Sequence, residues 1–343
     1  MSASEAPKSK RAGQAAPGTL RRAFIDLRKR RLASASLVVF GVLLLLSLFA
    51  DFWASSYPLF GSCGGESHFL ANVTHPAALA RKTPAERRAC VAEGATFTFV
   101  HHGADEEDGV PLAPPLGAAG HPLGTDERGR DVFAVLVYGA RTVFAFALAC
   151  AALSVVLGAT VGALAGFFGG AFDATISRSI EVLTAFPSVV LVLAVQAVLP
   201  HPTTLSLLVT IGCTRWAEIA RVVRSEVLRA TNEDYVVAAR VIGASPLRVL
   251  TRHIAPHARA QAMVAGAFAL STIVLVEASS DFLGIGVNGA YPTWGTLMGQ
   301  VRHHPEAWWL LVFPGTVLFV TVAAQNIFAE TLRDTLDPRQ AQR

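Results

Sequence analysis

Apolar residues gather along this chain into runs of about 20, the length a helix needs to cross a hydrocarbon core about 30 Å thick. The first run covers 32–54, and further runs cover 142–168, 176–200, 203–226, 257–285 and 307–331. Between the first and second lies a polar stretch, 55–131, rich in Gly, Pro, His and acidic residues and without a run of that length. The pattern predicts an all-α membrane protein of six transmembrane helices, with an extracytoplasmic insertion between the first and second. Between the third and fourth runs, His201, Pro202, Thr203 and Thr204 leave room only for a tight turn.

Charge sets the orientation. Lys8, Lys10, Arg11, Arg21, Arg22, Arg28, Lys29, Arg30 and Arg31 all precede the first run, and such residues hold a terminus in the cytoplasm. An even number of spans returns the C-terminus to the same side. Arg224, Arg229, Arg240, Arg248 and Arg252 then fall in a cytoplasmic stretch, whereas the outer loop at 288–305 carries only Arg302. The expected organisation is a basic cytoplasmic tail (1–31), a first anchor (32–54), an extracytoplasmic segment (55–131), a five-span core (132–332) and a cytoplasmic tail (333–343). The first run outlasts the apolar region of a signal peptide, and no small-x-small cleavage site precedes Asp51, Phe52 and Trp53, so it reads as an uncleaved anchor.

Composition agrees with a membrane location. Of 343 residues 52% are hydrophobic and 16% charged, against about 25% charged in soluble domains, and the mean hydropathy is +0.45. The net charge of +4 comes with no aromatic or glycine-rich RNA motif in the basic tail, which argues against a nucleic-acid partner and leaves membrane lipid as the surroundings. Cys150 and Cys213 fall inside spans as small apolar residues. Cys63 and Cys90 share the outer segment, where an oxidising compartment permits the disulfide expected between them.

The cytoplasmic segment 231–256 has the marks of two short helices. Thr231 and Asp234 have capping-box spacing, and Tyr235, Ala238, Ala239 and Ile242 recur at i, i+3, i+4 and i+7 as an apolar face. Gly243 suits a left-handed helix end, and Ser245-Pro246 supplies an N-cap and first-turn proline. Leu247, Leu250 and Ile254 make the second apolar stripe, Arg248 and Arg252 lie beside it at i, i+4, and Pro256 is expected to end the helix. Periodicity alone leaves open whether the exposed face meets protein, lipid or water.

Ala238-Ala239, Gly243 and Ile254-Ala255-Pro256 resemble the EAA loop of permease subunits of ATP-binding cassette importers, with Val237 at the frequent Glu position and Ala255 at the frequent Leu position. LGTDERGRDVFAVLVYGAR (123–141), FLGIGV (282–287), PTWG (292–295) and LRDTLDPR (332–339) are similar, in order and spacing, to signatures of the dipeptide, oligopeptide and nickel branch, with Ala134 replacing a usual Ser. The resemblance implies alternating access driven by two separate ATPase subunits, a second related permease and an extracytoplasmic substrate-binding protein. ATP and Mg would be bound by the ATPases and no cofactor by this chain. No GxxxxGK[ST] phosphate loop is present, which agrees. The resemblance assigns Tyr235, Ala238, Ala239, Arg240, Gly243, Ala244, Ser245, Arg248, Arg252 and Pro256 to ATPase docking and coupling.

Other residues are singled out by their chemistry. Gly158, Gly162 and Gly166 have the small-xxx-small spacing of close helix packing, against a neighbouring span or the partner permease. Glu277, Asp281 and Glu181, the last near Arg178, are ionisable groups inside spans and hence candidates for the translocation pathway, with helix-to-helix hydrogen bonding as the plain alternative. The pairs His101-His102 and His303-His304 lack any HExxH or CxxC frame, so no metal site is expected. Outer residues at 292–309, with Trp294, Trp308 and Trp309, are candidates for meeting a binding protein. The function expected is an importer permease for di- or oligopeptides. A nickel importer permease of the same family and a self-contained secondary transporter or channel are the alternatives. A membrane enzyme lacks any nucleophile motif.

Overall fold

The computed structural model describes residues 31–117, 120–286 and 292–336; the basic tail 1–30 and the ends of two family-like motifs, at 287 and at 337–339, lie outside them. Helix α1 (Arg31–Leu48) and the short α2 (Ala50–Trp53) form the first anchor. The insertion is not all-α: strands β1 (Phe60–Cys63) and β2 (Glu66–Phe69) form an antiparallel hairpin, followed by short helices α3 (Ala71–Thr74), α4 (Ala77–Ala80) and α5 (Pro84–Ala89) and a 3-10 turn. Gly64 and Gly65, both with positive φ, make the two-residue turn that matches strand twist. It brings Phe60 opposite Phe69, their ring centroids 5.0 Å apart. Hydrophobicity counted over 20 residues does not register so short a hairpin.

Helix α6 (Val132–Phe168) begins ten residues before its apolar run, because Asp131 caps it by accepting the Ala134 N–H at 2.8 Å. Next come α7 (Gly170–Ala185) and α8 (Ser188–Val198), bent from each other by 89°. Pro187 has no N–H and drives Phe186 into extended backbone (ψ 138°), so the third run is a broken element rather than one helix. After the tight turn, Thr203 and Ser206 form a capping box that opens α9 (Thr204–Thr231).

Helices α6 and α9 run parallel, in register, at a constant separation of 58 residues: Cys150 Sγ reaches Leu208 O at 3.7 Å and Ser154 Oγ reaches Gly212 O at 3.1 Å. Lower down, Gly158, Gly162 and Gly166 face the α9 backbone at Trp216, Ala220 and Arg224. A Cβ on Gly162 would stand 2.4 Å from the Ala220 carbonyl oxygen. The close packing is therefore within this chain.

The two-helix element comprises α10 (Asp234–Val241), α11 (Pro246–Arg248) and a π-helical turn (Val249–Ile254), which runs straight into α12 (Ala255–Phe282). Helices α13 (Trp294–Gln300) and α14 (Trp309–Leu336) complete the chain. By length and composition Val132–Phe168, Pro246–Phe282 and Trp309–Leu336 are each able to cross a membrane, and the bent pair makes up to a fourth. Among the other runs of the six-span pattern, α1 is apolar but shorter, and α9 carries Arg215, Glu218, Arg221, Arg224, Glu226 and Arg229.

The motif LGTDERGRD ties the insertion to the bundle. Asp126, fully buried, accepts the backbone N–H groups of Arg128 and Arg130 at 2.9 Å and Arg130 Nε at 2.7 Å. Trp309 Nε1 donates to Thr125 O at 3.0 Å, and Trp294 Nε1 to Leu136 O at 3.0 Å. In the insertion Cys63 and Cys90 are disulfide-bonded across a separation of 27 residues. The buried Arg87 donates to Ser56 Oγ (2.9 Å) and Glu106 Oε1 (2.9 Å), with its guanidinium over the Tyr57 ring.

His102 stacks on His121 (4.1 Å between centroids), and His121 Nδ1 lies 2.9 Å from Oδ2 of the capping Asp131. Burial, joined by His121 and Arg88, lowers the His102 pKa from 6.5 to about 4. The folded insertion thus resists a proton that the unfolded chain accepts. Its stability is greatest above about pH 6.5 and declines as pH falls toward about 5, before carboxylates begin to titrate. Thermal melting of the purified protein across that window checks this, and the slope should flatten in His102→Gln. Cys63→Ser should separately cost about 3 kcal/mol of insertion stability, measured as faster limited proteolysis in the insertion.

Candidate coupling site

The segment after α9 is built from backbone geometry. Thr231 Oγ1 donates back to Val227 O at 2.6 Å, so the threonine belongs to the last turn of α9, and the N-cap of α10 is Glu233, without a side-chain bond. The capping box expected from Thr231 and Asp234 does not form. At the other end Gly243 has φ +90°, its N–H bonds Arg240 O, and the Ala244 N–H bonds Ala239 O, both at 3.0 Å. These two bonds are the Schellman pattern that closes a helix on a left-handed glycine. Ser245 then stands at the N-cap position in extended backbone, with Pro246 in the first turn.

Burial shows which side of the element is covered, a point that periodicity leaves open. In α10 the fully buried residue is Val236, while Tyr235, Val237, Val241 and Ile242 are exposed, Ile242 to 86%. In the second helical stretch Val249, Leu250 and Ile254 are buried, but Leu247 is 70% exposed. The element therefore presents an apolar patch, with Ala238 and Gly243 also exposed. Arg248 and Arg252 stand exposed beside it and have no acidic partner among the described residues. Arg240 reaches back to α6, its guanidinium 5.8 Å from the Phe167 centroid, and Tyr235 lies 5.7 Å from the ring of His257.

Pro256 does not end a helix. It sits in the first turn of α12, directly after the π turn, so helical backbone is unbroken from Pro246 to Phe282. A proline ring clashes with the carbonyl four residues back in a regular helix, and the wider π turn relieves that contact.

Of the candidate pathway residues, Glu277 and Asp281 come together and Glu181 does not join them. Glu277 is 2% exposed and its Oε2 has no partner. Asp281 accepts the Thr293 hydroxyl, and Gly295 packs so closely that a Cβ there would lie 2.5 Å from Asp281 Cβ. Asp281 thus joins the FLGIG and PTWG segments. Glu181 is exposed on α7 and paired with Arg178 at 2.8 Å. Counting apolar runs passes over Arg215 and Glu218, which form an ion pair within α9 (2.9 and 2.7 Å); charges inside a span are the signal that marks them.

In the insertion His102, Glu106 and Asp108 lie close enough to share a cation. Arg88 already fills that place, pairing with Asp108 and approaching His102 Nδ1 at 3.3 Å and Glu106 Oε2 at 3.4 Å. A cavity of about 490 Å³ separates the insertion from the bundle, with Asp51, Tyr138 and Arg141 in its wall.

Residues 158–342 match the family described as the binding-protein-dependent transport system inner membrane component, more than half of the chain. The chain belongs to this permease family. Residues 18–66 also match the N-terminal transmembrane domain of oligopeptide transport permease C. The permease is similar to a putative peptide transport system permease protein of Brucella suis, 38% identical over 221 residues (64% of this chain, 74% of the relative). It is also similar to a di/tripeptide transport system permease of Pseudomonas aeruginosa, 34% identical over 233 residues (66% and 77%). An oligopeptide transport system permease of Bacillus subtilis is 32% identical over 223 residues (64% and 72%). Membership makes this chain a multi-pass inner-membrane component that works with ATPase and substrate-binding partners.

The contact of α6 with α9 sets a packing test. Gly162→Val places two methyl groups against the Ala220 backbone and should destabilise the permease by about 3 kcal/mol or more, since overpacking against backbone has little relief. The expected readout is a lower melting temperature in detergent, with Gly41→Val, where nothing lies within 4 Å, close to unchanged.

Proposed function

We propose that this permease forms half of the membrane channel of an ATP-driven importer for di- or oligopeptides. The observation that carries the coupling assignment is the exposed patch of Val241, Ile242 and Leu247 around the left-handed Gly243, flanked by Arg248 and Arg252, which have no acidic partner among the described residues. A large apolar surface rimmed by charge marks a protein contact. Two ATPase subunits, holding ATP and Mg, would serve the assembled importer, one on this element and one on a second, related permease. Arg248 and Arg252 would meet acidic residues there, while Tyr235, Ala238, Ala239, Arg240, Ala244, Ser245 and Pro256 shape the contact from this side. The peptide class follows from the named relatives.

In this reading the chain crosses the membrane six times, with both termini in the cytoplasm and the insertion outside, beside the binding protein. The arginine distribution supports that orientation. Helix α9 would cross despite its charges because much of it is covered by α6, α7 and α8.

Gly243 provides the test. A Cβ there meets nothing within 4 Å, so a substitution strains only the backbone, by about 1–2 kcal/mol, and leaves the bundle folded. Gly243→Asp should abolish peptide uptake by cells and co-purification of the ATPase while membrane insertion stays normal. Uptake at the unsubstituted rate overturns the assignment.

A further inference from the structure

The pair Arg215–Glu218 stands at an unusual depth. With the constant separation of 58 between α6 and α9, Arg215 is level with Leu157 and Glu218 with Thr160, the middle of the apolar part of α6. Charges at that depth face protein or water, never lipid tails. The two ends of the pair differ. The Arg215 side chain is 8% exposed, held within the bundle, whereas that of Glu218 is 53% exposed. Both guanidinium Nη atoms bond the carboxylate, one to each oxygen, so each Glu218 oxygen retains acceptor capacity on its open side.

The broken helix arrives at the same level. Arg221 Nη2 bonds Thr184 Oγ1 at 2.6 Å, and Gln196 Nε2 bonds Thr210 Oγ1 at 2.9 Å, one contact from each limb of the bent pair. The break at Phe186 and Pro187 lies between these two contacts along α9, as do Arg215 and Glu218. Irregular backbone at membrane depth is tolerated where it is buried in protein or lines a watery passage. Phe186 is 55% exposed, so it is not covered within this chain.

The geometry points to a mid-membrane peptide-contact site in which Glu218, positioned by Arg215 beside the α7–α8 break, accepts hydrogen bonds from the amino-terminal ammonium and main-chain N–H groups of a passing peptide. Free main-chain donors are common to all peptides, so such a site favours the class without reading side chains. The inference rests on the importer reading above.

The test uses the whole importer reconstituted in vesicles with this permease in a Cys213→Ser background, because Cys213 is itself exposed. In a Glu218→Cys variant the new thiol is treated with a charged, membrane-impermeant thiosulfonate, with and without a transported tripeptide and ATP. Slower labelling in the presence of the tripeptide, from occlusion of the thiol, is expected, together with a loss of uptake of about tenfold in Glu218→Gln, the scale of a lost charge-assisted bond. A thiol that reacts only after denaturation places Glu218 in a sealed contact between permeases and overturns the site, as does labelling indifferent to peptide. Should Glu218→Cys fail to assemble, Val222→Cys, one turn along and also exposed, carries the same readout. The unsubstituted importer run alongside separates the two failures: no uptake there overturns the importer reading and this site with it, whereas normal uptake with unprotected labelling overturns this site alone.

Discussion

The contact on which the bundle depends is the glycine face of α6 against the backbone of α9. Between apolar helices in lipid there is little hydrophobic drive to associate, so close approach and dense dispersion contacts must do the holding. Gly158, Gly162 and Gly166 remove the side chains that would keep the backbones apart. That contact lets α9 carry the Arg215–Glu218 pair, with Arg215 buried and Glu218 open, and also fixes where its C-terminal end delivers α10.

From that end the chain makes two reversals within a few residues, one after Thr231 and one at Gly243. Both are closed by local hydrogen bonds, and the anchoring side chains are Val236, Val249, Leu250 and Ile254. Because these few residues secure the element, the rest of its apolar surface is free to face outward. At the opposite end of the bundle Asp126, Thr125 and the two tryptophans Trp294 and Trp309 lock the N-terminal ends of α6, α13 and α14 into one unit.

Much of this was legible in the sequence. Apolar runs located the long helices, and Gly243 with Ser245-Pro246 located a turn whose φ and hydrogen bonds follow local rules. Three features escaped for physical reasons. A period-3.6 stripe on an eight-residue helix does not say which side is covered, so the exposure of Tyr235 and Ile242 had to come from the structure. Pro256 reads as a stop unless the wider turn before it is known, because a π turn has no composition of its own. The bend at Pro187 sits inside an apolar run, where hydropathy conceals a change of direction.

The unbroken backbone from Pro246 to Phe282 has a mechanical consequence. It spans 37 residues, about 55 Å at helical rise, with one end beside the exposed Leu247 and the other at Asp281 and Thr293. A rod of that kind turns a small tilt at its foot into a displacement at its head without passing through a loop that would absorb it. The π turn near the foot is where its hydrogen-bond ladder departs from the regular α pattern, so bending there would meet less resistance than along the rest of the rod.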